Sequence, residues 1–273
     1  MHSQMHESVH RYQMSFDLDI GYSSERGQRE VNQDFVATRR PAPQEHDMGF
    51  IFAIADGADG ADGASAGGSG RMAAQTSAKT LVEDYFGTPP RWDTRTALER
   101  LIVAQNNWLA AHNKRNASAA MSTLTALVLR DDGWTLAHVG DTRAYLSRGG
   151  ECRLLTQDHC VAQADGPRRL TRALGLDDAV RIDFEQGELR RDDAFLLISD
   201  GVHARLAHSR IAWLAAQGSA ALSSHGLVSA ALATGSDDNA SALVIRVHSL
   251  ARSRLDDALR NDRQTDPRSL API

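Results

Sequence analysis

Apolar residues in this chain fall in short unbroken runs more often than in alternation. Phe50 to Ala55, Thr123 to Leu129, Trp134 to Val139, Ala144 to Leu146, Phe195 to Ile198 and Ala242 to Val247 read as strands. A strand that is apolar at consecutive positions is covered on both faces. The stretch "LVLRDDGWTLAHV" predicts a hairpin turning at Asp131-Asp132-Gly133. Helical spacing appears in "TRTALERLIVAQNNWLAAHN", with Leu98, Leu101, Ile102 and Leu109 on one face and Trp108 beside it. A second helix fits "SGRMAAQTSAKTLVEDYF", and two more fit Ile211 to Ala216 and Gly226 to Ala233. Hairpins mixed with helix pairs argue for antiparallel sheet covered by helices, not for a parallel βαβ sheet.

The ends of the chain lack this patterning. Residues 1–15 read as a polar tail, in which His2, His6 and His10 fall four apart; 249–273 read as a second polar tail; the core spans 16–248 as a single domain. The first fifteen residues have no apolar segment of the signal-peptide kind, and no run approaches the ~20 residues a membrane span needs. The net charge of −5 argues against a nucleic-acid or membrane-surface binder. Two cysteines, Cys152 and Cys160, make no disulfide framework, which points to a reducing, cytoplasmic setting.

Several apolar runs share one feature: an aspartate at one end. "FIFAIADG" ends on Asp56-Gly57, "TLAHVGD" on Asp141 and "AFLLISDG" on Asp200-Gly201. Asp238-Asn239 directly precedes the run from Ala242, and Asp34 precedes a short one. A lone buried carboxylate is costly unless a cation or strong donors meet it. Taken singly, an Asp-Gly step after a strand is an ordinary turn. If the fold gathers these ends, the cluster suits a hard divalent cation with oxygen ligands. The glycine also lets the backbone approach closely, so that its carbonyl can serve as a ligand.

The order of these pieces resembles the metal-dependent protein phosphatases, the type 2C serine/threonine phosphatases, in their compact bacterial form. The matching segments are "RGQREVNQD", "FAIADGADG", "MSTLTALVLRDDGWTLAHVGDTRAYLSR", "LLTQDHC", "LTRALG", "DDAFLLISDG" and "SDDNASALVIRV". The resemblance implies an α+β fold, a four-layer αββα sandwich of two antiparallel sheets flanked by antiparallel helix pairs. It implies that Asp56 bridges two Mn²⁺ or Mg²⁺ ions with the Gly57 carbonyl as a further ligand. Asp200 and Asp238 would complete the first ion's ligands, Asp34 would hold ion-bound waters, and Asp141 would serve a third, weaker ion. Arg29 would grip the substrate phosphate, and Asn239 and Asp158 would play supporting parts. The implied function is hydrolysis of phosphoserine and phosphothreonine on proteins, opposing a bacterial-type Ser/Thr kinase. The alternative is a non-catalytic relative that binds a phosphorylated partner.

The sequence also departs from the family pattern. Ala58 stands where His or Met often follows the Asp-Gly step, Asp59 where Gly is usual, and Gln33 where many relatives have Glu. Asp59 and Asp62 either form an exposed acidic loop or take another cation. Only "VAQADGPRRL" separates "LLTQDHC" from "TRALG", a short flap that should leave the cleft more open, and Arg168, Arg169 and Arg172 near it either steer phosphate or are simply solvated. His138 and His159 read as hydrogen-bonded structural histidines, and Trp108, Trp134 and Trp213 as core or interface anchors. "GASAGGSGRM" lacks the GK[ST] of a phosphate loop, and neither cysteine is flanked like a phosphatase nucleophile.

Overall fold

The structure, a computed structural model, describes residues 16–59, 68–116, 119–163 and 166–250. The N-terminal tail with its histidines four apart, Asp62, the side chain of Arg168 and the tail beyond Leu250 lie outside the described residues. In chain order the elements are β1 (Asp17–Glu25), β2 (Asp34–Arg39), β3 (Phe50–Ala58), α1 (Gly68–Asp84), α2 (Thr94–Asn116), β4 (Met121–Ser122), β5 (Leu124–Arg130), β6 (Gly133–Val139) and β7 (Arg143–Arg148). There follow β8 (Glu151–Leu154), β9 (Cys160–Gln163), β10 (Gly166–Leu170), β11 (Asp183–Glu188), β12 (Ala194–Ile198), α3 (Asp200–His203), α4 (His208–Ala215), α5 (Ala220–Ala233) and β13 (Ala240–Ser249).

Two antiparallel sheets are stacked. One runs β1-β13-β12-β7-β8 and the other β11-β6-β5-β3-β2, with β4 paired to β3. The unbroken apolar runs are explained by what each strand face meets. In β3, Ile51, Ala53 and Ala55 pack under α1 and α2, whereas Phe52 and Ile54 face the other sheet. In β13, Ala242 and Val244 lie under α4 and α5, whereas Leu243, Ile245 and Val247 join the inter-sheet core. Alanine recurs on the helix-facing side of β3, β5 and β13, and larger residues fill the gap between sheets. The result is the layered helix–sheet–sheet–helix sandwich that the resemblance implies. Among the described residues, no helix is long and apolar enough to cross a membrane.

Local chemistry sets the element ends. Asp93 caps α2, accepting from the Thr96 amide at 2.8 Å and its hydroxyl at 2.7 Å. The predicted hairpin is present, with Arg130 opposite Gly133 and Asp131 at a left-handed φ of 55°. Two of the three tryptophans are not core anchors: Trp108 is 44% and Trp213 52% exposed, and only Trp134 is buried. Trp213 instead lies under the Arg210 guanidinium. Trp134 meets Phe195 of the opposite sheet edge-on, with ring centres 5.6 Å apart.

Because Phe195 is fully buried between the sheets, Phe195→Ala should cost about 3–5 kcal/mol of unfolding free energy. Denaturant titration measures it, and a loss below about 1 kcal/mol would show that the inter-sheet layer collapses to fill the gap.

Candidate active site

The predicted aspartates arrive from both sheets. In one sheet β2 begins at Asp34 and is antiparallel to β3, so that Asp34 stands directly opposite Asp56. In the other, β12 and β13 are adjacent, with Ile198 opposite Ala242. Asp200, just past the end of β12, thereby comes beside Asp238, just before β13. The two sheets are stitched at this end by Ser199, whose hydroxyl donates to Asp34 Oδ2 at 2.8 Å and accepts the Ser241 amide at 2.9 Å.

The glycine of each Asp-Gly step is required by close packing. A Cβ on Gly57 would lie 2.1 Å from the Gly70 carbonyl oxygen in α1, and one on Gly201 would lie 2.0 Å from the Asn239 carbonyl oxygen. Any side chain there would push a helix or a strand off the site. The main chain of Asp56 is pinned from both directions by Thr123, whose hydroxyl accepts the Asp56 amide at 2.8 Å and whose amide donates to the Asp56 carbonyl at 2.9 Å. Asn239 ties the loop after β1 to the start of β13: its amide group donates to the carbonyls of Arg26 and Val31, and its Oδ1 accepts from the Gln33 amide.

The electrostatics follow from burial and crowding. Burial raises the Asp34 carboxyl to a pKa of about 7; bonds from Ser241 and Ser199 oppose the shift, and the charges of Asp200 and Asp238 add to it. Asp56 is raised well above the carboxylate range by burial, then by Asp34, Asp200, Asp141 and Asp238. Asp200 is raised by burial and by Asp238, and shares a hydrogen bond with Asp56. Asp56 thus feels the charges of the other four predicted aspartates. Asp141 is only 8% exposed, and its carbonyl accepts from His203 Nε2 at 2.8 Å. Arg29 is the cation at the rim, 59% exposed, and donates to Asp238 Oδ2 at 2.8 Å.

Two carboxylate oxygens, Asp34 Oδ1 and Asp200 Oδ1, are buried and have no hydrogen-bond partner. Orphaned acceptors among mutually repelling acids fit a hard divalent cation. Among the described residues, no three His, Cys, Asp or Glu side chains already stand in a metal-ligating arrangement. The reason is local: Asp56 and Asp200 bond to each other, and Asp238 is turned onto Arg29. The shared burial and the orphaned oxygens outweigh this lack of a ready-made cage. A cavity of about 680 Å³ elsewhere, lined by Trp92, Arg130, Thr135 and Gln186, contains none of these acids.

Other expectations resolve differently. Asp59 is not a free loop carboxylate: its Oδ1 accepts from the Ser69 hydroxyl and, at 2.8 Å, the Gly70 amide, and its Oδ2 accepts from Gln33 Nε2 at 2.7 Å. Burial would raise its pKa, but those bonds outweigh it and hold the pKa below the usual range. Asp158 forms a two-pronged pair with Arg143, both contacts 2.8 Å, and is structural. The short flap is the β9–β10 hairpin, anchored at both ends. His159 Nδ1 accepts from the Gly140 amide, so its Nε2 carries the proton and donates to Asp183 Oδ2 at 2.9 Å. Arg172 donates to Asp183 Oδ1 at 2.9 Å and is half-buried, so its guanidinium is tied to a carboxylate rather than free to steer phosphate. Arg169 is exposed. Sequence reasoning missed Thr123, Ser199 and Ser241; the one available signal was a hydroxyl directly before the "DG" step at Asp200.

A family model described as Protein phosphatase 2C matches residues 20–234. The chain is 28% identical over 214 residues to the serine/threonine protein phosphatase PstP of Mycobacterium tuberculosis, covering 72% of this chain and 40% of that protein. It is 29% identical over 161 residues to the probable protein phosphatase 2C 69 of Arabidopsis thaliana, covering 58% of this chain and 42% of that protein. The chain thus spans less than half the length of the first curated relatives it matches. Among solved structures it is similar to the catalytic domain of PstP in complex with two manganese ions, at 28% identity and a TM-score of 0.70, over 85% of this chain and 100% of that one. The fold is also that of a serine/threonine phosphatase of S. agalactiae, at 23% identity and a TM-score of 0.73, over 85% of this chain and 100% of that one. With most of the described elements inside the matched span, the chain belongs to the protein phosphatase 2C family.

Proposed function

We propose that this chain is a metal-dependent phosphatase acting on phosphoserine and phosphothreonine in proteins. The observation that carries the reading is the convergence of Asp34, Asp56, Asp200 and Asp238 from two sheets, with two of their buried oxygens unpartnered and Arg29 at the rim. The similar PstP catalytic domain is described with two manganese ions.

In this reading Asp56, with the Gly57 carbonyl as a further ligand, would hold a pair of Mn²⁺ or Mg²⁺ ions. Asp200 and Asp238 would complete one ion's ligands, and Asp34 would orient water nearby. Ions bound there supply the positive charge that ionises water at neutral pH and polarises phosphoryl oxygens. Arg29 offers a planar fork of donors that matches a phosphate edge. Its exposed guanidinium exchanges the Asp238 carboxylate for the substrate. Attack in line with the leaving group breaks the ester P–O bond, and positioning plus charge stabilisation supply most of the rate. Ala58 has no proton to give, so the leaving alkoxide must take its proton from a water or from another group. Cys152 and Cys160, both free thiols, take no covalent part. A third, weaker ion at Asp141, a Ser/Thr kinase as the opposing enzyme and a cytoplasmic setting belong to the same proposal.

Hydrolysis of a phosphothreonine peptide should depend on Mn²⁺ or Mg²⁺. Asp200→Asn should lower turnover by about 10²-fold or more, as expected when charge stabilisation at a phosphoryl centre is lost. Arg29→Ala should raise KM more than it lowers kcat. Wild-type turnover in Asp200→Asn would overturn the role given to Asp200, and no turnover in the wild type with Mn²⁺ across about pH 6–9 would favour the non-catalytic binding alternative.

The raised carboxyl of Asp34 gives a second prediction. Its folded-state pKa of about 7 exceeds the ordinary value of 3.8. Its contribution to stability is therefore present below about pH 4 and is lost as pH rises towards about 7. In metal-free protein, Asp34→Asn cannot ionise and should gain in Tm relative to the wild type over that window. Saturating Mn²⁺ should cancel the gain by favouring the wild type. A Tm difference that does not change with pH would contradict the burial of an ionising Asp34.

A further inference from the structure

We propose that Gln33 and Asp59 form a matched amide–carboxylate pair that positions the Asp56-Gly57 step against α1, a pair whose polarity can be exchanged but not duplicated. The proposal rests on reading the neighbouring aspartates as the metal-binding site. It concerns two of the three residues beside that site at which the sequence departs from the pattern of the family it resembles, and the fold brings those two into contact. Gln33 Nε2 donates to Asp59 Oδ2 at 2.7 Å.

Gln33 is the point where three site segments are held together. Its amide donates to Asn239 Oδ1 at 2.8 Å, and Asn239 follows Asp238. Its carbonyl accepts from the Gly57 amide at 3.2 Å, and Gly57 follows Asp56. Its own chain neighbour is Asp34. Through Asp59 its side chain reaches a fourth segment, because Asp59 Oδ1 takes the Gly70 amide and the Ser69 hydroxyl in the first turn of α1. There is no slack in this arrangement. A Cβ on Gly70 would lie 2.9 Å from Gln33 Nε2, and one on Gly57 would lie 2.1 Å from the Gly70 carbonyl oxygen. A shift of α1 is therefore felt directly at the step that carries Asp56.

The chemistry of the pair is constrained by the charge already present. Both Asp59 oxygens are occupied, so residue 33 must present a donor. A glutamate there would face a second carboxylate at hydrogen-bond distance, beside Asp34. Exchanging the pair restores the match. After Asp59→Asn the side-chain Oδ1 still accepts from Gly70 and Ser69, and its amide nitrogen donates to the carboxylate that Gln33→Glu introduces. The bonds of Asp59 to Gln33, Ser69 and Gly70 all survive, the one between the two side chains with its direction reversed.

The test is a double-mutant cycle of wild type, Gln33→Glu, Asp59→Asn and the double variant. Each is measured for Mn²⁺ affinity by calorimetry, for Tm without metal, and for kcat and KM on a phosphothreonine peptide. Gln33→Glu should weaken Mn²⁺ binding about tenfold or more and lower the metal-free Tm, and the double variant should return to within about threefold of wild type. A Gln33→Glu protein that does not fold, with a double variant that folds and binds Mn²⁺, gives the same support. The proposal fails if Gln33→Glu binds Mn²⁺ as well as or better than wild type, if the two effects simply add, or if the double variant does not recover. Absence of turnover in the wild type would sink the phosphatase reading alone, because the affinity and Tm arms still decide the pair.

Discussion

Carboxylates buried together repel one another, and the site is built around a repulsion that, among the described residues, only the exposed Arg29 meets with a positive charge. An ionised acid taken out of water costs several kcal/mol unless it is paired. Asp34 and Asp56 face each other across β2 and β3, and like charges directly opposite on neighbouring strands are destabilising. The donors on hand are few and mostly neutral: Ser199 for Asp34, the Asn239 amide for Asp238, and the exposed Arg29. Asp193 shows the opposite arrangement. It is fully buried, yet Arg148 meets both its oxygens at 2.7 Å and the Arg190 amide adds a third bond. The same residue type thus serves structure where its acceptors are filled, and is available to an external cation where they are not.

That imbalance is tolerable because the apolar layers carry the stability. Three packed layers, one between the sheets and one under each helix pair, lie away from the acids, which sit at strand ends and in the first turn of α3. The arrangement also needs the backbones themselves to touch. Gly57 against α1 and Gly201 against Asn239 let two helix starts and two strand ends come within a peptide's width of one another. The glycine in each Asp-Gly step is accounted for by this contact alone.

How far the sequence discloses this depends on the strength of the local signal. The central strands were legible because both of their faces are covered and their apolar runs are unbroken. β1, "DLDIGYSSE", was not, since as an edge strand it alternates weakly and exposes Tyr22. β11, "DFEQGE", is the other sheet's edge and carries almost no apolar signal. β8 could have been found from Arg148-Gly149-Gly150-Glu151, where both glycines have positive φ in a two-residue hairpin turn. The aspartates of the site were legible as strand-end residues, but Asp158 and Asp193 look no different in the sequence. Only the partners separate them. The hydroxyl of Thr123 is invisible in the sequence, and that of Ser199 is marked only by its place before an Asp-Gly step, because such residues are common and their role is set by strands distant in the chain.

The flap shows that a length read from sequence leaves the attachment of a hairpin undetermined. Its two ends are fixed to one carboxylate, since His159 and Arg172 each take an oxygen of Asp183 on β11. The His159 ring must be neutral with its proton on Nε2 to accept the Gly140 amide and donate to Asp183 at once. Burial, the main influence on this ring, favours that state by lowering its pKa. Because Gly140 directly precedes Asp141, the base of the flap and the acid nearest it are held by a single imidazole. The flap is therefore anchored to the site through hydrogen bonds rather than through its length.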